Sequence, residues 1–92
     1  MEEKFVEKEL VVTNKLGLHA RPAAMFVQLA NKFISEIIVK KGAELVNGKS
    51  IMGIMMLAAG KGSKIVITAR GEDAEQAVGM LEKLLGEKFG EG

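Results

Sequence analysis

One histidine stands in the chain, His19, with Arg21 two residues on and Pro22 after it. A neutral imidazole carries a nucleophilic nitrogen, and with an ordinary pKa near ~6.5 a large fraction is neutral around pH 7. Such a ring can accept a phosphoryl group. The product needs compensation for two negative charges, which the unpaired amides and the positive end of a helix N-terminus supply. Arg21 adds a permanent cation whose forked donors suit phosphate oxygens. Gly17, two residues before the histidine, leaves room for close approach by a partner and for an unusual backbone angle. Opposed to this stand plainer readings: a lone histidine near a turn as a solvated surface residue, and Arg21 as an ordinary solvated cation. With no cysteine in the chain, disulfides and thiolate chemistry are excluded.

These residues require elements to hold them. Ninety-two residues fit one domain with a single core. At 48% hydrophobic and 27% charged, the composition is that of an ordinary globular protein without low-complexity tracts. A formal charge of +1 provides no global field toward nucleic acid or an anionic membrane, so any electrostatic recognition must be local. The start "MEEKF" lacks the basic and apolar regions of a signal peptide, which fits a cytoplasmic protein. The longest apolar run, residues 51–60, is about half of the ~20 residues a membrane-spanning helix needs. No membrane insertion is expected.

The stretch 5–12 reads as a strand, and residues 13–17 supply turn chemistry. Apolar positions at Ala23, Phe26, Val27, Ala30, Phe33 and Ile34 predict a helix beginning near His19 or Ala20, with Pro22 in the first turn, where a missing amide costs nothing. Two short strands, 36–40 and 43–46, form a hairpin about Lys41 and Gly42. Ser50 then caps a helix of one or two turns. Residues 63–70 alternate Ile65, Ile67 and Ala69 against polar neighbours, a half-buried strand. Asp73 with Gln76 resembles a capping box ahead of a helix whose stripe is Ala74, Ala77, Val78, Leu81, Leu84 and Leu85. The order predicts an α+β fold: a two-layer open-faced sandwich, with a four-stranded, mostly antiparallel sheet and two longer helices and one short helix on one face. The domain spans 1–92 with its core over about 5–85, and "GEKFGEG" after Leu85 reads as a frayed end.

"GLHARPAA" (17–24) together with "VNGKSIMGIMML" (46–57) closely resembles the histidine-containing phosphocarrier (HPr) proteins of the bacterial phosphoenolpyruvate-dependent phosphotransferase system. Both blocks occur in the family's order and spacing, and the similarity runs from about Phe5 to Leu85.

The resemblance implies that His19 is phosphorylated on Nδ1 by enzyme I and passes the group to enzyme II A domains for sugar uptake, with Arg21 supporting the phosphate. It implies a relay protein rather than a stand-alone enzyme, needing no cofactor or metal and working as a monomer. Ser50 falls on the serine that many members present to a dedicated kinase, the HPr kinase/phosphorylase. Ala20, Pro22, Ile51, Met52 and Met55 fall on the partner-contacting surface, where flexible, polarisable methionines suit several unrelated partners. Read from spacing alone, Met52, Met55 and Met56 are equally core residues, and Ser50 is an N-cap whatever else it does. Basic residues that help some enteric members bind enzyme I are Gln28 and Asn31 here, with only Lys32 nearby basic. Two alternatives stay open: the nitrogen-related branch of the same family, and a regulatory module that docks to a transcription regulator under control of Ser50. RNA binding needs strand aromatics, and only Phe5 of four phenylalanines lies in a proposed strand.

Overall fold

The computed structural model describes residues 3–91. Seven elements follow in order: β1 (Phe5–Val11), α1 (Ala20–Ala30), β2 (Glu36–Lys41), β3 (Glu44–Asn47), α2 (Ile51–Met56), β4 (Lys64–Arg70) and α3 (Ala74–Gly86). A short 3-10 turn, Lys88–Gly90, comes last. The strands form one sheet in the order β1-β4-β2-β3, and each neighbouring pair is antiparallel. This is the open-faced sandwich expected from the sequence.

Alternation decides which side of the sheet is covered. In β4 the side chains of Ile65, Ile67 and Ala69 are buried, and in β2 so are Ile37 and Val39, which pair in register with Ala69 and Ile67. They meet Phe26 of α1, Ile54 of α2 and Leu81 of α3 in one core. Each fully buried side chain of this size contributes ~1.5–3 kcal/mol of transfer free energy. The other face bears Glu7, Glu9, Lys40 and Arg70, all exposed, and no helix among the described residues crosses it. Arg70 reaches over the Phe5 ring there, 5.4 Å from its centroid.

Three sequence expectations are corrected by packing. The first helix ends at Ala30, short of Phe33 and Ile34, and Ile34 is 74% exposed. Its continuation is blocked because Asp73 captures the amides of Ile34 and Ser35, both at 3.0 Å, while Lys49 Nζ donates to the Phe33 carbonyl at 2.7 Å. For the same reason no capping box forms at α3. Asp73 sits at the N-cap with a backbone (φ −101°, ψ 23°) that is not extended, and its carboxylate makes no bond to the helix it precedes. It instead ties the α1–β2 connection to the start of α3. Gly71 allows this closeness: its φ is +150°, and a Cβ there would come within 2.6 Å of Ser35 Oγ.

The third correction concerns the end of the chain. The segment after Leu85 is not frayed through Glu91: α3 continues to Gly86, and Phe89 folds back into the core at 3% exposure. An aromatic ring near a polar end has apolar area worth burying, and the turn at Lys88–Gly90 returns it to the helix layer. Gly92 lies outside the described residues.

Candidate functional site

His19 is the N-cap residue of α1, with an extended backbone (φ −74°, ψ −172°) and its carbonyl accepting the first intrahelical bond, from the Ala23 amide at 2.9 Å. Its side chain makes no capping bond. The ring is therefore free for other work, at the end of α1 where the Ala20 and Arg21 amides of the first turn have no intrahelical partner. Pro22 follows and is fully buried, so its ring fixes the first turn from inside and cannot be a partner contact of the kind expected for it. Ala20 and Arg21 are exposed, and Arg21 is in no salt bridge among the described residues.

The imidazole has two unlike edges. The His19 side chain is 39% exposed, yet Nε2 is buried and has no hydrogen-bond partner among the described residues. Exposure therefore lies with the rest of the ring. Nε2 faces the Glu91 carboxylate at 3.6 Å, within ion-pair range and longer than a hydrogen bond.

The loop delivering His19 is clamped by its own chain. The Leu18 amide donates to the Ala59 carbonyl at 2.8 Å, which joins the block around His19 to the segment leaving α2. Gly17 sits at φ +69°, and a Cβ there would lie 2.6 Å from Gly60 Cα and closer still to the Ala59 oxygen. The unusual backbone angle expected of Gly17 is present, whereas the space it reserves is filled by residues 59–60 rather than left open for a partner, a correction to that part of its expected role. Asn14, buried in the same loop, donates from Nδ2 to the Gly17 carbonyl at 2.5 Å.

Across this clamp lies α2. Ser50 caps it, its hydroxyl oxygen accepting the Gly53 amide at 3.0 Å. Ile51, Met52, Met55 and Met56 are all exposed, with Met52 at 72%, so the helical spacing of these methionines marks surface and not core. Only Ile54 of α2 is buried. A shallow depression of about 240 Å³ connects Leu16, His19, Met55, Ala58 and Gly60. His19 and Met55 of α2 thus line one hollow, with Arg21 exposed two residues beyond His19 in α1 and Ser50 at the head of α2. Gln28, Asn31 and Lys32 are exposed near the far end of α1.

Sequence reasoning missed Glu91 and Asn14. Asn14 reads only as part of the 13–17 turn, and Glu91 belongs to no motif; for Glu91 the signal available was Phe89, a single aromatic in a polar end, which marks a segment that packs.

Comparison with known proteins shows the family and the fold. The family model described as "PTS HPr component phosphorylation site" matches residues 6–87. The chain is similar to the phosphocarrier protein HPr of Cupriavidus necator, 42% identical over 96% of this chain and 99% of that protein. It resembles the crystal structure of an HPr from Thermoanaerobacter tengcongensis at a TM-score of 0.92, with 49% identity over 95% of this chain and 98% of that one. It is also similar to the Bacillus subtilis catabolite repression protein Crh, solved as a domain-swapped dimer, at a TM-score of 0.73 and 43% identity, covering 90% and 95% of the two chains.

Proposed function

The chain belongs to the HPr family of the phosphotransferase system, and from that premise we propose that it takes a phosphoryl group from enzyme I onto Nδ1 of His19 and hands it to enzyme II A domains for sugar uptake. The observation that carries the reading is the state of the His19 ring: released from capping, buried at Nε2 and open on its remaining edge, at the N-terminus of α1 beside exposed Arg21.

The chemistry is positioning and charge compensation. The Nδ1 lone pair attacks phosphorus in line, the donor's nitrogen–phosphorus bond breaks, and its electron pair returns to the donor ring. Arg21 and the first-turn amides of α1 answer the charge of the phosphoryl oxygens. Neither step calls for a metal or cofactor of the chain's own. Ala20, Ile51, Met52 and Met55 supply the docking surface, and a small apolar face suits a relay that must release its partners quickly. The working form is a cytoplasmic monomer. Incubation with phosphoenolpyruvate and an enzyme I is expected to give acid-labile phosphate on the wild-type chain and none on His19→Ala; label persisting in that variant overturns the reading.

A second reading is favoured by the likeness to Crh and by the position of Ser50 beside the apolar residues of α2. In it the chain docks to a transcription regulator, and phosphorylation of Ser50 by an HPr kinase/phosphorylase is the switch. Ser50→Asp then alters regulator binding while His19→Ala does not. Service to the nitrogen-related branch is distinguished by which enzyme II A domain accepts label from the phosphorylated chain.

A further inference from the structure

The segment beyond α3 belongs to neither motif block, yet it closes onto the histidine. Phe89 anchors it in the core, and Lys88, Phe89 and Gly90 carry φ of 54°, 56° and 78°. Three successive left-handed residues turn the chain back, so that Glu91 meets the loop between β1 and α1. There its Oε2 accepts a long bond from Asn14 Nδ2 at 3.4 Å and lies 3.6 Å from His19 Nε2. Asn14 is itself 1% exposed and held to the Gly17 carbonyl. A carboxylate fixed by a buried amide and a core anchor thus faces a buried ring nitrogen with no other partner among the described residues.

From this geometry we infer that Glu91 is a positioning residue of the phosphoryl relay: it keeps the imidazole proton of His19 on Nε2, which leaves the lone pair at Nδ1, and it balances the positive charge the ring gains on transfer. The inference rests on the relay reading of His19. A neutral imidazole carries one proton, and the nitrogen that bears it is set by what the nitrogens face. A lone pair at Nε2 would point toward carboxylate oxygens and be repelled; an N–H there is attracted. The contact is electrostatic at this length, not a hydrogen bond.

The same placement acts during transfer. As Nδ1 bonds to phosphorus and the donor's nitrogen–phosphorus bond breaks, the donor nitrogen recovers the electron pair. His19 retains its Nε2 proton and becomes a phosphorylated imidazolium, its positive charge beside Glu91. When an acceptor nitrogen then takes the phosphoryl group, the bonding pair returns to Nδ1 and the ring is neutral again. No proton moves in either direction. The carboxylate also repels the phosphoryl oxygens, but the group adds at Nδ1 while Glu91 faces Nε2, so the cationic ring stands between them.

Glu91→Gln keeps the size of the side chain and removes its charge. Ring 15N shifts of the neutral imidazole report the tautomer. They are expected to show Nε2–H dominant in the wild type and a more even mixture in the variant, with an unchanged melting midpoint. The initial rate of labelling by enzyme I is expected to fall roughly fivefold, the upper range for a partly exposed ion pair. A variant with wild-type tautomer ratio and wild-type rate overturns the inference, as does one labelled faster, which would make the segment an obstructing flap. Wild-type protein that takes no label overturns the relay reading, and the inference with it.

Discussion

The Leu18 amide and the Ala59 carbonyl are joined at 2.8 Å, and this one bond holds the loop that presents His19 against the chain leaving α2. The loop of the nucleophile is thereby tied directly to the segment that leaves the apolar surface of α2.

Gly17→Ala tests the clamp. The new methyl would meet the Ala59 oxygen and Gly60 Cα, and φ +69° is unfavourable for alanine by ~1–2 kcal/mol before any clash. Urea unfolding is expected to show a loss of at least about 2 kcal/mol. Labelling by enzyme I should slow as well, because His19 shifts with the loop.

Ser50 has a structural duty that can be separated from regulation. Ser50→Ala removes the acceptor for the Gly53 amide and is expected to cost about 1 kcal/mol in a denaturant titration. Aspartate is an equally good N-cap, so Ser50→Asp should retain most of that stability. Its added negative charge lies beside Ile51 and Met52, and titration calorimetry should show weakened binding to an acidic partner.

Asp73 gives the fold a dependence on acid. Its carboxyl is held below the ordinary value of 3.8, chiefly by the Ser35 hydroxyl, with desolvation opposing and the Ile34 and Ser35 amides adding to the lowering. A native pKa below the unfolded one means stability fully present above 3.8 and lost as the pH falls through the folded value. Urea midpoints compared between neutral pH and pH 3 should fall for the wild type. They should fall less for Asp73→Asn, which begins weaker at neutral pH.

Met52 is exposed and packs against little, so Met52→Lys is expected to leave stability within about 0.5 kcal/mol of wild type. Its effect should appear in association. The KM for the chain as substrate of enzyme I is expected to rise about fivefold, with kcat nearly constant, as for truncation of a docking contact.

Local rules found what local rules govern. The strand alternation of Ile65, Ile67 and Ala69, the cap at Ser50 and the helix start at His19 were legible because period, capping and proline placement act within a few residues. The pairing of His19 with the α2 residues came from resemblance to a family, since spacing alone left it open. What failed depended on contacts distant in sequence. Asp73 serves the 34–35 bend rather than its own helix, Gly17 makes way for residues 59–60, and Pro22 turns inward. Exposure of Met55 was equally undecidable, because a stripe at helical spacing does not say which side of a short helix faces the core. The packing of Phe89 was hidden by the polar residues around it.

The uncovered face of the sheet has a practical use. It holds exposed Glu9 on β1, opposite Val66, on the far side of the sheet from the helix layer that carries His19. The chain has no cysteine, so Glu9→Cys would create a single thiol for a fluorescent dye. A dye on that side could follow encounters with each partner in real time while leaving the docking surface and the reacting ring untouched.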